Sequence, residues 1–493
     1  MVTLASNLEL CEVGNFIDNQ IAPAQSGEYF DKLSPHDGKL LWRVASSDIR
    51  DVLSAVSHAR RMQTQWSLMP PVQRGLFLFR ACNLMELERS RIAEIVAAET
   101  GKSLKDALGE TDAAIALGRF YAGEGQRLYS RTTTSGVENR YNMIVRQPCG
   151  VAALIVAANT PIANVAWKTF PALICGNTVV LKAAEDTPKT ALIFADILRQ
   201  AGLPAGVVNV LQGFGQVVGA SLVSEAQVDV ISFTGSTEVG RWIGKIAGER
   251  LLKCSLELGG KNPFVVCDDA DLDQAVHWAI LSAFSNAGQR CAAGSRIIIF
   301  DAIYKEFVTK LIAATEQLRI GNSDQDNLGP VINVRSLERM LNAVNKAKNE
   351  GATILCGGSR LKNSEHANGF YVAPTLLENV NVDSEISNCE LFGPIAVLYR
   401  VKNFEEALNL ANASSYGLTA AIHTQNYHRA LQFVQAVQSG VATVNGGTFG
   451  SEPHMPFGGL KQSGNGTREP GTEALDIYTE LKNIYFNVLP NHV

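Results

Sequence analysis

The stretch Gly150-Val151-Ala152-Ala153-Leu154-Ile155-Val156-Ala157-Ala158-Asn159 is an apolar run of strand length that stops on a polar amide. The chain beyond it alternates between two patterns. Ile162 to Leu173 has helical spacing and ends near Gly176, and Thr178 to Lys182 is again strand-like. Pro188 to Ala201 is helical and is stopped by Gly202 and Pro204. Val207 to Leu211 predicts a strand, Gln216 to Ser224 a helix, Val228 to Phe233 a strand and Thr237 to Ala247 a helix. Alternating strands and helices predict a parallel sheet covered on both faces.

A second round begins at Pro263 to Val266, with a helix over Leu272 to Ala287 and a strand over Arg296 to Phe300. Further helices are expected over Ala302 to Leu318, Ser336 to Asn349 and Phe404 to Ala413. Upstream, Ile49 to Met62, Val72 to Ala98 and Leu104 to Tyr121 carry amphipathic periodicity. The segments Arg131 to Gln147 and Leu475 to Val488 are strand-like and stand outside the alternation. The fold class is therefore α/β, with two lobes and a cleft between them.

The bulk numbers fit this reading. A chain of 493 residues exceeds one compact core, so two or three domains are expected. A net charge of −5 gives no pointer to nucleic acid or to an anionic membrane surface. The stretch Met1 to Asn19 lacks a basic region followed by a long apolar run, so no secretory leader is expected, and no apolar run reaches membrane-spanning length. The nine cysteines are unpatterned, with no C-x-x-C pair, which suggests reduced thiols in a cytoplasmic protein. No histidine falls in a metal-ligand spacing, so no metal is expected.

Two segments carry chemistry. Cys291 follows Asn286-Ala287-Gly288-Gln289-Arg290, and Glu257 stands in Leu256-Glu257-Leu258-Gly259-Gly260-Lys261. A thiolate can attack a carbonyl, and a carboxylate can activate the water that later releases an acid. Asn159, at the end of the opening strand, offers an amide NH2 suited to a developing oxyanion. Phe233-Thr234-Gly235-Ser236-Thr237-Glu238-Val239-Gly240 joins a strand to a helix, whose N-terminal amides suit a pyrophosphate.

These segments, with Glu390-Leu391-Phe392-Gly393-Pro394 and Pro456-Phe457-Gly458-Gly459, occur in the order found in the NAD(P)-dependent aldehyde dehydrogenase superfamily, which the chain resembles from about Asn15 to Tyr485. The resemblance implies Cys291 as nucleophile, Glu257 as the base for deacylation, and Asn159 as an oxyanion donor beside the nucleophile's own N–H. It implies cofactor contacts from Lys182, Glu185, Gly235, Ser236, Glu390 and Phe392. A carboxylate at Glu185 favours NAD over NADP, because it accepts from ribose hydroxyls and repels a 2′-phosphate. Where the family commonly has Pro-Trp-Asn-Phe-Pro, this chain has Ala157-Ala158-Asn159-Thr160-Pro161. Thr160, Asn164, Trp167 and Arg290 are the expected pocket residues, and the small Gly109 and Ala113 lie on the helix expected to line the tunnel. Together they suggest a roomy, polar pocket for a polar or carboxylated semialdehyde.

The same resemblance implies a Rossmann-like NAD-binding lobe (1–127 and 149–258), a catalytic lobe (259–445), a return segment (446–475), and oligomerisation strands (128–148 and 476–493) that give a homodimer or homotetramer. The alternatives are an acylating, coenzyme-A-dependent enzyme, against which Glu257 speaks, and a non-catalytic binding or structural relative, against which the intact Cys291, Glu257 and Asn159 speak.

Overall fold

The computed structural model describes residues 11–488. The first ten residues of the stretch read for a leader, and the last five of the tail strand expected over 476–493, lie outside the described residues.

Four helices open the main body: α1 (Ile49–Leu68), α2 (Pro71–Leu87), α3 (Arg89–Thr100) and α4 (Leu104–Glu124). Their starts are written locally. Asp48 and Asp51 form a capping box on α1, Pro71 opens α2, and Ser103 Oγ accepts from Asp106 N on α4. The first sheet then alternates as β1 (Val151–Ile155), α5 (Pro161–Ile174), β2 (Thr178–Lys182), α6 (Pro188–Gln200), β3 (Val208–Leu211), β4 (Val230–Thr234), α7 (Thr237–Glu249) and β5 (Lys253–Glu257). Its parallel order is β5-β4-β1-β2-β3, extended past β3 by the antiparallel strands Asn15–Ile17 and Gln20–Ala22. β1, β2 and β3 are buried throughout, as continuous apolar strands between two helical layers should be. The order reverses between β1 and β4, so the crevice beyond their C-terminal ends is where a ligand fits an open α/β sheet.

The second sheet comprises β6 (Pro263–Val266), β7 (Arg296–Phe300), β8 (Thr375–Glu378), β9 (Ile395–Val401), β10 (Thr419–His423) and β11 (Val441–Val444). Its parallel order is β8-β9-β7-β6-β10-β11, with Thr353–Cys356 antiparallel on the β8 edge. Its helices are α8 (Leu272–Phe284), α9 (Tyr304–Glu316), α10 (Val334–Asn349), α11 (Phe404–Asn412) and α12 (Tyr427–Ala436). Residues 258–262 run straight from the C-terminal end of β5 to the N-terminal end of β6. The C-terminal ends of the first sheet thus meet the N-terminal ends of the second.

Several expectations change in detail. The helix expected over Val72–Ala98 is two helices, broken at Glu88 (φ −92°, ψ 9°). No local breaker demands this; α3 turns to lay Ile92, Ile95 and Val96 into the core beside α4 and α6. The helix expected over Gln216–Ser224 is α-helical only from Ala220, after a wider turn over Gly215–Gly219. Leu272–Ala287 ends as a helix at Phe284, because Asn286, Ala287 and Gly288 take left-handed conformations. Five short strands between Cys11 and Ala45 had no counterpart among the expected elements. The strand-like segments outside the alternation pair with each other: Thr479–Asn487 lies antiparallel to Arg140–Pro148, which pairs with Arg131–Thr133.

Candidate active site

Cys291 stands on the loop between α8 and β7. The three residues Asn286 (φ 53°), Ala287 (φ 52°) and Gly288 (φ 66°) form a left-handed turn before it. Ala287 bears a steric cost in this region that glycine escapes, of order 1–3 kcal/mol, so the surrounding structure must hold the turn. Gly288 is required by close approach as well: a Cβ there would lie 2.1 Å from the Gly393 carbonyl oxygen. Asn286 Nδ2 donates to the Gln289 carbonyl at 3.2 Å, closing the turn. Beyond it, Asn262 Nδ2 donates to the carbonyls of Cys291 (2.7 Å) and Ala293 (2.9 Å), while Asn262 Oδ1 accepts from Thr419 N. Asn262 therefore ties the nucleophile loop to β6 and β10. Nothing in the sequence singled it out.

Asn159, just past β1, faces this loop. Its Nδ2 donates to the Gln289 carbonyl at 3.0 Å, and Asn286 Nδ2 donates to the Asn159 carbonyl at 3.2 Å. The opening strand and the Cys291 loop are thus joined across the cleft. Asn164 Nδ2 donates to Asn159 Oδ1 (3.2 Å), Thr160 Oγ1 (3.1 Å) and the Ala157 carbonyl (3.3 Å). Asn164, expected as a pocket residue, supports Asn159 with its amide, and Thr160 is tied to the same network. Gly109 and Ala113 lie on the exposed side of α4. Around Cys291 the wall is aromatic. Trp167 packs edge-to-face on Phe457 at 5.7 Å, and Phe449 completes the cluster with Ala292 and Leu418. The immediate surroundings of the thiol are more apolar than the composition of the segment suggested.

Arg290 lays its guanidinium over the Phe449 ring at 4.7 Å, a cation–π arrangement. Its Nε is buried without a hydrogen-bond partner. Among the described residues no carboxylate lies within ion-pair distance of it.

The electrostatics favour the protonated forms of Cys291 and Glu257. Burial pushes the Cys291 thiol up to about 12, helped by the charges of Glu390 and Glu257 and opposed by backbone N–H groups. Glu257 ends β5 with both carboxylate oxygens buried and unpartnered. Burial holds its pKa well above the usual range, Glu469 adds to the shift, and Lys168 and Arg468 oppose it. Lys168 and Glu469 form a fully buried ion pair at 2.9 Å, with Ser232 Oγ donating to Glu469 and accepting from Lys168. Glu469 belongs to the segment returning to the first sheet, and neither partner of the pair was legible in the sequence.

The groups expected to meet a cofactor sit at the crevice. Lys182 ends β2, and its Nζ donates to Glu185 Oε2 at 2.8 Å. Burial pushes the Glu185 carboxyl up, but the Lys182 ammonium outweighs this and leaves it below the usual range, so it is charged at neutral pH. Gly235 and Ser236 follow β4, and Ser236 Oγ accepts from Val239 N as the N-cap of α7. Glu390 Oε1 accepts from Gly260 N at 3.0 Å, on the same turn that follows Glu257. Burial raises the Glu390 carboxyl to about 7 against the pull of that N–H and of Lys261. Phe392 is half-buried beside it, with φ 57°. A charged carboxylate, a lysine and a helix N-terminus along one crevice suit ribose hydroxyls and a pyrophosphate.

Residues 21–484 match the aldehyde dehydrogenase family. The chain belongs to that family. It is 39% identical over 474 residues to an alpha-ketoglutaric semialdehyde dehydrogenase from Bacillus subtilis, covering 96% of this chain and 97% of the relative. Betaine aldehyde dehydrogenase from Staphylococcus aureus in complex with NAD+ superposes with a TM-score of 0.94 at 31% identity, covering 98% of this chain and 96% of that one. An NADP-dependent enzyme from E. coli superposes with a TM-score of 0.93 at 34% identity, covering 97% and 98%. The protein is thus an NAD(P)-dependent aldehyde dehydrogenase that oxidises an aldehyde to the acid. No helix among the described residues is long and apolar enough to cross a membrane.

Proposed function

We propose that this aldehyde dehydrogenase oxidises a carboxylated semialdehyde with NAD, using Cys291, Glu257 and Asn159. The observation that carries the substrate reading is Arg290, adjacent to the nucleophile, stacked on Phe449 and with a buried Nε lacking a partner. A guanidinium in that state favours a substrate carboxylate, which it binds by charge-assisted hydrogen bonds. The identity to a semialdehyde dehydrogenase from Bacillus subtilis supports the same class. Trp167 and the phenylalanines would pack the carbon chain between the two ends.

In this reading the Cys291 thiolate attacks the aldehyde carbon, and Asn159 Nδ2 with the Cys291 N–H holds the oxyanion of the thiohemiacetal. NAD, when bound, supplies the hydride acceptor. Glu257 then takes a proton from the water that attacks the thioester, and the acid leaves as the thiol is restored. Lys182, Glu185, Gly235, Ser236, Glu390 and Phe392 hold the dinucleotide. The charged Glu185 favours NAD, since it would repel a 2′-phosphate. Residues 1–127 and 149–258 serve the cofactor, 259–445 the nucleophile, and 446–475 return to carry Glu469 under Glu257.

The three-stranded sheet leaves Thr479–Asn487 as an edge carrying exposed Leu481, Tyr485 and Phe486, and β11 is an edge of the second sheet. Open edges of this kind favour strand addition between copies, so we read the protein as a homodimer or homotetramer. The cysteines described are all free, which suits a reducing cytoplasm.

The test is NADH production from an aldehyde panel varied in length and charge, with and without coenzyme A, repeated with Arg290→Leu. The variant should raise KM for carboxylated aldehydes and leave neutral ones unchanged. A wild-type preference for neutral aldehydes would overturn the substrate reading, and a requirement for coenzyme A would overturn the hydrolytic one.

A further inference from the structure

Lys102 and Glu110 are buried beside Asn159, far from it in sequence. Lys102 lies in the loop after α3, whose end is set by the left-handed Gly101. Glu110 lies two turns into α4. Their side chains are only 3% and 6% exposed and form an ion pair. The pair has two further attachments. Glu110 Oε1 accepts from Ile162 N (3.0 Å) and Ala163 N (3.3 Å), the first turn of α5, where the N-cap residue Thr160 makes no side-chain cap. Lys102 Nζ donates to the Asn159 carbonyl at 2.8 Å. One ion pair therefore grips both ends of the 159–163 segment.

We infer that Lys102 and Glu110 are positioning residues for oxyanion stabilisation, fixing Asn159 through its backbone. This rests on the oxyanion role proposed for Asn159. The side chain of Asn159 has two orientations related by an amide flip. Asn164 Nδ2 donates to Oδ1 and the Gln289 carbonyl accepts from Nδ2, so the flip is settled and one N–H remains for the oxyanion. Those contacts set the rotation of the amide. They do not set the height of the 159–160 peptide over the cleft, which depends on where its carbonyl is held. Lys102 holds it from the α4 side and Asn286 from the nucleophile loop. The pair carries no net charge, so it adds little field at the oxyanion; its action is geometric. A displacement of about 1 Å at a reacting site costs on the order of a hundredfold in rate.

The experiment is a double-mutant cycle of Lys102→Met and Asn159→Ala, read as the pre-steady-state rate of NADH formation, with KM for NAD and thermal unfolding alongside. Asn159→Ala should slow the burst by about 100- to 1,000-fold. Lys102→Met alone should slow it by about 10- to 100-fold, leave KM for NAD unchanged, and cause no further loss in the Asn159→Ala background. If Lys102→Met leaves Glu110 too costly to bury, Lys102→Met with Glu110→Gln removes both charges and keeps the amide acceptor for α5. A full-rate burst in Asn159→Ala would sink the oxyanion reading itself. A slow Asn159→Ala burst with an unaffected Lys102→Met burst, or an equal loss from Lys102→Met in both backgrounds, would overturn the positioning role.

Discussion

Replacing Glu257 by glutamine separates the two halves of the proposed reaction. Burial and the nearby Glu469 hold its pKa well above the usual range, which favours the neutral carboxyl until the base role calls on the carboxylate. The substitution therefore exchanges one neutral planar group for another of similar shape. The native oxygens have no hydrogen-bond partner to lose, so the stability change should stay below the ~1–3 kcal/mol of an orphaned buried polar group. A general base contributes about 100- to 10,000-fold, or roughly 3–5 kcal/mol of barrier. In stopped flow the variant should give one NADH per site at near-native rate, then turn over at least about 100-fold more slowly than wild type. The same substitution has a pH signature. A carboxyl whose folded pKa exceeds its unfolded value of 4.5 gives the native state stability that is full below that value and lost as pH rises toward the folded pKa. Glutamine does not titrate, so the variant should gain on wild type as pH rises, by up to about 1.4 kcal/mol per pH unit across that window. Unchanged steady-state turnover would refute the base assignment. Loss of the burst would move Glu257 to the acylation step, and a relative gain in acid would contradict the buried neutral carboxyl.

Three further substitutions and one truncation test the rest of the reading. Cys291→Ala should fold and bind NAD with unchanged affinity by fluorescence titration, yet lose oxidation by several orders of magnitude; appreciable turnover would require another nucleophile. Glu390→Gln removes a carboxylate that raises the Cys291 thiol, so at alkaline pH iodoacetamide should modify Cys291 faster than in wild type, read by peptide mass; a slower reaction would place Glu390 elsewhere. Glu185→Ala should raise kcat/KM with NADP relative to NAD, and an unchanged ratio would show that Glu185 does not face the ribose. Deleting 475–493 removes the strand paired along Arg140–Pro148 and should leave insoluble or inactive protein; a fully active monomer by light scattering would overturn the assembly reading.

Part of what was legible in the sequence lies at strand ends. Asn159 follows β1, Lys182 ends β2, Gly235 follows β4 and Glu257 ends β5, so the strand pattern put at strand ends the residues that the family resemblance had singled out. The residues that escaped notice act over long sequence distances. Lys102 reaches a carbonyl 57 positions away, Lys168 meets Glu469 301 positions away, and Asn262 holds a loop 29 positions downstream. A lysine after Gly101 or a glutamate in α4 carries no local sign of such a partner. The break at Glu88 escaped for a related reason: tertiary packing, not a glycine or proline, ends α2. The strands between Cys11 and Ala45 are three to six residues long, too short for alternation to stand out.

The resting charge state bears on how the enzyme is switched on. Burial pushes the Cys291 thiol up to about 12, which favours the protonated form of the nucleophile. The apolar ring of Trp167, Phe449 and Phe457 preserves that state, because desolvation is the leading cause of the shift. The next contributors are the carboxyl groups of Glu390 and Glu257, whose negative charge, when ionised, opposes a second one on the thiol. A cation entering the cleft would act against both causes, neutralising the carboxylate field and stabilising the thiolate. NAD carries a positive charge on its nicotinamide ring. In the proposed reading Glu390 would bear on both cofactor and nucleophile: its charge opposes the Cys291 thiolate, and the positive ring of a bound dinucleotide would offset that opposition. Under the proposed roles, a nucleophile opposed by burial and by two carboxyl groups would gain thiolate character as a cationic cofactor binds.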